Sequence, residues 1–158
     1  MTAPFCYFTT NFEEMYLLFR HFYCKVLSYL TSFSSNKNSS LHLLYNFDEI
    51  FSSIMPDLKD YFKSYGFDIN SVVLDWFTTC FSELFNPEQL FKIYDILLVT
   101  NNYQILIIIA LALLDNKKSK LLVLNSKNDI VTLFKNYRFE DVDIFVMTKN
   151  YLENSTFT

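Results

Sequence analysis

The amino-acid sequence predicts an all-α fold, an irregular helical globule of about seven or eight helices that forms a single domain over residues 1–158. Apolar residues recur at helical spacing in almost every segment. The breaks between segments are short, and several carry helix-start signals. The whole sequence also holds only one glycine. This scarcity nearly excludes hairpin-rich β folds and glycine-rich phosphate loops, because both need left-handed backbone positions.

The composition describes a chain with a sizeable core and no electrostatic preference for a polyanion. Of the 158 residues, 51% are hydrophobic and 19% are aromatic, which excludes a disordered chain. The net charge of −4 is spread without runs, so neither a nucleic acid nor an anionic membrane surface is an expected partner. The strongest membrane candidate, Ile105–Leu114, is too short to span a bilayer. We therefore predict a buried helix there and no transmembrane segment.

Cysteine usage and the start of the chain indicate a cytoplasmic location. Cys6, Cys24 and Cys80 are odd in number and far apart, which argues against a disulfide framework and for a reducing compartment. Met1 is followed by no basic segment and no small-residue cleavage site, so no secretory signal is expected.

The first helices are predicted from caps, a loop and a proline. Asn11 is expected to cap the first long helix, with Glu14 at its third position. The serine-rich stretch 32–40 is predicted to be an exposed loop. Pro56 is expected to separate a second helix from a short third one, which ends at Gly66 in a left-handed conformation. The predicted buried positions are Phe12, Met15, Tyr16, Phe19, Phe22, Tyr23, Val26, Leu30, Leu44, Phe47, Phe51, Ile54, Leu58, Tyr61 and Phe62.

A helix–turn–helix corner is predicted over residues 76–95, which contain the only tryptophan. Apolar residues at helical spacing predict a first helix that continues to Leu84. Asn86 is expected to cap a second helix, with Pro87 at its first position and the Gln89 side chain reaching back to the Asn86 N–H. The spaced apolar residues are Val73, Trp76, Phe77, Cys80, Phe81 and Leu84, followed by Leu90, Ile93, Tyr94, Leu97 and Leu98.

Further helices are predicted after the corner. Asn101 and Gln104 repeat the start signal and are expected to open the apolar helix. Lys117 is predicted to begin a separate, more polar helix. Ser126 and Glu140 are expected to start the last two helices. Their predicted apolar positions are Ile130, Leu133, Phe134, Val142, Phe145, Val146 and Tyr151.

No residue pattern predicts a metal, a cofactor or a catalytic residue. His21 and Cys24 share a helix face, but a zinc site needs three or four ligands. The other candidate ligands, His42, Cys6 and Cys80, have no paired spacing. A Cys–His nucleophile would lack an orienting group and oxyanion donors. The two carboxylates that flank the corner, Asp75 and Asp95, are expected to be structural.

The corner resembles the TBC-domain GTPase-activating proteins for Rab-like GTPases. That family typically shows W-F-L-T-L-F-S, then a proline and a glutamate, then L-R-I-W-D. Here the segments are Trp76–Ser82 (WFTTCFS), Pro87-Glu88 and Phe91–Asp95 (FKIYD), with Lys92 in place of the usual arginine and Tyr94 in place of the usual tryptophan. The motif residues that the resemblance implies, in a structural role, are Trp76, Phe77, Phe81, Pro87, Glu88, Lys92 and Asp95.

Other segments resemble the C-terminal lobe of the TBC domain. Ala3-Pro4-Phe5 looks like the segment that follows the family's glutamine motif. The tail from Leu133 onward is most similar to the branch that acts in the spindle checkpoint and mitotic exit. The resemblance covers nearly the whole chain, so the expected fold is the C-terminal lobe of a TBC domain.

The resemblance implies a GTPase activator that lacks its catalytic residues. TBC proteins insert an arginine and a glutamine from I-x-x-D-x-x-R and Y-x-Q motifs, and a supplied arginine is worth ~10³–10⁵ in rate. Arg20 does not stand in the first motif, and Tyr103 and Gln104 are adjacent instead of separated by one residue. The chain is thus expected to contribute binding of a Rab-like small GTPase and structural support, and not to be an enzyme itself.

Two other interpretations stay open. The chain could be a non-catalytic helical adaptor that binds a partner protein, with cell-cycle control as one setting. An apolar face near Phe5, Tyr7 and Phe8 would then be covered by an absent N-terminal lobe or by a helical partner. Alternatively, the chain could be a helical bundle with no connection to a GTPase.

Overall fold

The all-α prediction is confirmed. The computed structural model describes residues 3–7, 9–32, 34, 36–136, 143, 144, 146, 148 and 149. No β-strand occurs in this part of the chain. A 3₁₀ helix, Ala3–Tyr7, precedes α1, and a π-helical turn, Tyr23–Leu27, joins α1 to α2. The α-helices are α1 Phe12–Phe22, α2 Ser28–Leu30, α3 Ser40–Ile54, α4 Pro56–Ser64, α5 Ile69–Thr78, α6 Pro87–Thr100, α7 Gln104–Leu121 and α8 Lys127–Lys135.

Helix α7 lies at the centre of the fold, in contact with α3 and α5. Its apolar residues are buried around its whole circumference, as expected of a helix that is hydrophobic on every side. The buried residues are Leu106, Ile107, Ile109, Ala110, Leu111, Ala112, Leu113, Leu114 and Leu121. The prediction of a buried helix for the long apolar run is therefore confirmed.

Both predicted boundaries of α7 are wrong. Asn101 does not start α7, because it adopts a left-handed conformation (φ 50°) that ends α6. The side chain of Asn102 instead accepts a hydrogen bond from the Gln104 N–H, at 3.1 Å. No new helix begins at Lys117, since α7 continues to Leu121. Lysine is a good helix former and its charged end reaches solvent, so a polar segment does not by itself end a helix.

The predicted buried face of the first helix is only partly correct. Phe22, Val26 and Leu30 are buried, whereas Phe12, Tyr16 and Tyr23 are exposed. Periodicity marks the apolar residues of a helix but does not show which of them a neighbouring element covers. Leu27, in the π-helical turn, also lies in the core although it was not among the predicted positions.

Most of the predicted helix ends are confirmed by hydrogen bonds. The Asn11 side chain accepts from the Glu13 N–H at 2.9 Å, and Glu14 accepts from the Thr9 hydroxyl at 2.7 Å. Ser126 accepts from the Asp129 N–H at 3.1 Å and caps α8. Helix α4 begins at Pro56, and Gly66 is left-handed (φ 59°) just beyond its end.

The serine-rich loop and the tail differ from prediction in part. Ser34, Asn36 and Lys37 are exposed, but Ser39 and Ser40 are buried where α3 begins. The Ser39 side chain caps α3 by accepting from the His42 N–H at 3.3 Å. In the tail, Ile144 is buried and Val146 is exposed rather than buried. Of the other predicted tail positions, Glu140, Val142, Phe145 and Tyr151 lie outside the described residues.

A polar network joins α3, α4 and α5 on the surface of the core. Lys59 donates to Asp48 at 2.9 Å and also to the Ser52 hydroxyl. The Asn70 side-chain amide donates to Asp48 at 3.2 Å. The hydrogen bond from Lys59, followed by the one from Asn70 and the Lys59 charge, lowers the pKa of Asp48 below its ordinary value of 3.8 despite partial burial.

Replacing Asp48 with asparagine is expected to lower the free energy of unfolding at pH 7 by about 0.5–1 kcal/mol, a value discounted for solvent screening of a partly exposed pair. The lowered pKa means that the contribution is present above pH 3.8 and is lost as the pH falls through the lower, folded-state value. Urea unfolding of the wild type and of Asp48→Asn at pH 7 and at pH 2.5–3 measures this difference in the free energy of unfolding. Asp60→Asn, on an exposed face of α4, is the matched control. A difference between wild type and Asp48→Asn that grows on acidification would contradict this account.

Candidate functional site

The corner between α5 and α6 is a Schellman turn followed by a second capped helix. Helix α5 ends at Thr78, not at Leu84 as predicted. Cys80 and Phe81 both have left-handed backbones, with φ of 50° and 60°. The Phe81 N–H donates to the Trp76 carbonyl at 2.8 Å, and the Cys80 N–H donates to the Phe77 carbonyl at 3.0 Å. These two bonds define the Schellman motif, with cysteine at the position that glycine usually occupies.

The corner is buried even though its helix ends early. Phe77, Cys80 and Phe81 are completely buried, and Trp76 and Phe85 are nearly so. The Phe81 ring centroid lies 6.1–6.2 Å from those of Trp76, Phe77 and Phe85. Burial also raises the pKa of the Cys80 thiol, so Cys80 is a neutral core residue and not a nucleophile.

The start of α6 has the predicted Asn86 cap and the predicted proline at its first position, and it is linked to the tail. The Asn86 side chain accepts from the Gln89 N–H at 2.9 Å, and Pro87 is the first helical residue. The Gln89 side-chain oxygen accepts from the Ile144 N–H at 3.2 Å. Gln89 therefore links the start of α6 to the tail at Ile144.

The charged motif residues lie at the surface of α6. Glu88 and Asp95 are exposed. Lys92 is 3.6 Å from Glu88 and 3.8 Å from Asp143. These are long, partly solvated ion pairs, which contribute little to stability.

Trp76 and Asp95 line two different cavities. Trp76 lines a cavity of about 410 Å³ between α5 and α8, where its ring centroid lies 5.9 Å from that of Phe134. Asp95 lies at the rim of a cavity of about 320 Å³ between α1 and α6, which we call the α1–α6 groove. The floor of this groove is formed by Phe5, Phe22 and Tyr94.

The periodicity of the sequence did not predict that α1 has exposed apolar side chains. Leu17 and Leu18, at the edge of the α1–α6 groove, are 59% and 46% exposed. Of the predicted apolar face, Phe5 is buried against Phe22 and Tyr94, and only Tyr7 is exposed. Phe8 lies outside the described residues. The apolar surface is therefore centred on α1 and not on the segment before it.

The described residues place no metal-binding group together. Among them, no three His, Cys, Asp or Glu side chains converge as a metal site would require. His21 and Cys24 are exposed on the first helix and the turn that follows it. None of the three cysteines forms a disulfide. In the same part of the chain, no helix has both the length and the apolar character that crossing a bilayer demands.

Comparison with known proteins decides the family. A family model described as the Rab-GTPase-TBC domain matches residues 1–122, which include α1 to α7. The chain belongs to the Rab-GTPase-TBC domain family. No solved structure matches this TBC chain at a significant level.

Individual relatives carry the TBC name or are named as a GTPase activator. The TBC domain-containing protein kinase-like protein of Homo sapiens is 26% identical over 147 residues, which are 90% of this chain and 16% of that protein. TBC1 domain family member 19 of Homo sapiens is 26% identical over 110 residues, 70% of this chain and 21% of that protein. GTPase activating protein Gyp51 of Schizosaccharomyces pombe is 30% identical over 150 residues, 87% of this chain and 14% of that protein. The TBC chain thus spans about a fifth or less of the length of these relatives.

Proposed function

We propose that this chain is part of a TBC-type GTPase-activating protein for a Rab-like small GTPase, to which it contributes binding surface and structural support but no catalytic finger. The observation that carries the proposal is the TBC match over residues 1–122 in a sequence that contains neither I-x-x-D-x-x-R nor Y-x-Q. An activator needs such an arginine to stabilise the charge of the transferring phosphoryl group.

The positions of the arginine and glutamine side chains support a role in binding without a catalytic finger. Arg20 is exposed on α1, in the sequence Tyr16-Leu17-Leu18-Phe19-Arg20, which differs from the arginine motif. Of the two glutamines, Gln89 accepts a hydrogen bond from the Ile144 N–H through its side chain, and Gln104 opens α7. Arg138 lies outside the described residues.

The motif residues of the corner are assigned a structural role in this proposal. Trp76, Phe77 and Phe81 form part of the buried aromatic cluster. Glu88 lies 3.6 Å from Lys92 on the surface of α6, and Asp95 is exposed at the rim of the α1–α6 groove. We also assign the chain to the cytoplasm, an assignment that its three cysteines favour, because none of them forms a disulfide.

A second candidate is a non-catalytic helical adaptor that binds a partner protein. The exposed apolar side chains of α1 favour it, because surface clusters of this kind mark protein-binding sites. Cell-cycle control is its setting if the tail's resemblance to the spindle-checkpoint and mitotic-exit branch holds. The names of the relatives do not bear on that branch, which stays a prediction.

An equilibrium binding assay against a panel of Rab-type GTPases separates the two candidates. We expect saturable binding of the chain to at least one GTPase loaded with a non-hydrolysable GTP analogue, and weaker binding to the same GTPase loaded with GDP. A Ras-type GTPase is the control. Absence of binding to every Rab-type GTPase would contradict the first candidate and leave the adaptor.

A further inference from the structure

We propose that two copies of this chain associate through antiparallel pairing of their α1 helices along a seam formed by Glu14, Leu17, Leu18 and His21. These residues stand at i, i+3, i+4 and i+7, so they share one face of α1. All four are exposed in the single chain. The inference does not depend on the proposed function, since it concerns a contact between identical chains.

The seam is not used by the fold that holds α1. Helix α1 packs on the body of the domain through Met15, Phe19 and Phe22. The seam points to one side of this packed face, towards α6. Leu17 and Leu18 therefore remain 59% and 46% exposed, and apolar side chains that are exposed next to each other are typical of a binding site.

The seam is self-complementary in the order of its polar and apolar side chains. Its acidic end, Glu14, and its imidazole end, His21, are placed symmetrically about the midpoint between Leu17 and Leu18. A two-fold axis through that midpoint places Glu14 opposite the partner's His21, and Leu17 opposite the partner's Leu18. A two-fold interface uses the same patch on both copies, so this symmetry of the sequence fits it directly.

Both ends of the seam are available for such contacts. Within the described part of the chain, neither Glu14 nor His21 takes part in an ion pair, and Glu14 accepts one hydrogen bond, from Thr9. The carboxylate has further acceptor sites for an imidazole N–H. The two side chains are two helical turns apart, about 10 Å along the axis, so they do not bond each other within one chain.

The neighbouring α1–α6 groove extends the same interface. Leu17, Leu18 and His21 form one wall of the groove, and Leu98 belongs to the other. A partner helix lying along the seam would cover the exposed edge of Leu98 as well. The occupant to which this geometry points is a second copy of α1, because its apolar centre and its reversed polar ends match the seam.

Sedimentation equilibrium of the full chain under reducing conditions tests the proposal. We expect a reversible monomer–dimer equilibrium over micromolar concentrations, as for a small interface. Leu17→Asp should raise the dissociation constant by at least about 10-fold, because it sets a carboxylate against the partner's apolar seam. Val123→Asp, at a residue 69% exposed between α7 and α8, is the matched control and should leave the dissociation constant unchanged.

A charge-exchange pair tests the antiparallel register. His21→Glu should weaken association by placing a glutamate opposite the partner's Glu14. The double variant Glu14→Lys, His21→Glu should restore it, since each copy then presents a lysine to the partner's glutamate. Circular dichroism checks that every variant is folded. A chain that is monomeric at all accessible concentrations, or a dimer that neither Leu17→Asp nor His21→Glu weakens, would overturn the proposal.

Discussion

Replacing Phe81 with alanine is expected to lower the free energy of unfolding by about 3–5 kcal/mol. The Phe81 side chain is completely buried and contacts the rings of Trp76, Phe77 and Phe85. The Phe81 N–H also makes the Schellman hydrogen bond to the Trp76 carbonyl, and the two rings pack on each other. The loss is a large fraction of the stability of a typical domain, about 5–15 kcal/mol. Urea unfolding followed by Trp76 fluorescence measures it.

Phe12→Ala is the matched control for this prediction. Phe12 carries the same side chain but is 73% exposed at the start of α1. Its replacement should change the free energy of unfolding by no more than about 0.5 kcal/mol. Equal losses in the two variants would mean that the corner is not the packed cluster described above.

Replacing Tyr94 with alanine is expected to cost about 3–5 kcal/mol and to loosen the N-terminal segment. The Tyr94 ring stacks on Phe22 with centroids 4.1 Å apart, and it also stacks on Phe5 at 6.0 Å. It therefore joins α6 to α1 and to the 3₁₀ helix. Hydrogen exchange should show the larger loss of protection in α1 rather than in α7, whose contacts are with α3 and α5.

Two variants serve as controls for the Tyr94 prediction. Tyr94→Phe keeps the ring and should retain most of the stability. Tyr45→Ala removes an exposed tyrosine of α3 and should change the free energy of unfolding by no more than about 0.5 kcal/mol. If Tyr94→Phe were as damaging as Tyr94→Ala, the ring stacking would not be the source of the stability.

The sequence predicted helices best where a side chain makes the decisive hydrogen bond. The caps at Asn11, Asn86 and Ser126 follow from local chemistry and are present. The end of α5 was missed because its left-handed position is filled by Cys80, and periodicity continues unbroken through the turn. The chain tolerates this conformation because the Schellman hydrogen bonds and the burial of Phe81 compensate for it.

The family motif of the candidate site was predictable from the sequence. Which apolar residues of α1 are exposed was not. The spacing from Trp76 to Asp95 indicated the TBC family, which the match over residues 1–122 establishes. Periodicity treats every spaced apolar residue as buried, so it cannot separate Phe22, in the core, from Tyr16, in solvent. That distinction depends on which neighbouring elements reach the helix, and these are set by tertiary packing.

Single-turnover GTP hydrolysis by Rab-type GTPases, with and without this chain, tests the central claim most directly. The claim is that the chain is a TBC lobe that binds its GTPase without supplying the catalytic arginine and glutamine. For a GTPase that the chain binds, we predict an acceleration below about 10-fold, against the ~10³–10⁵ that a supplied arginine provides. An acceleration of more than about 10-fold by this chain alone would contradict the claim.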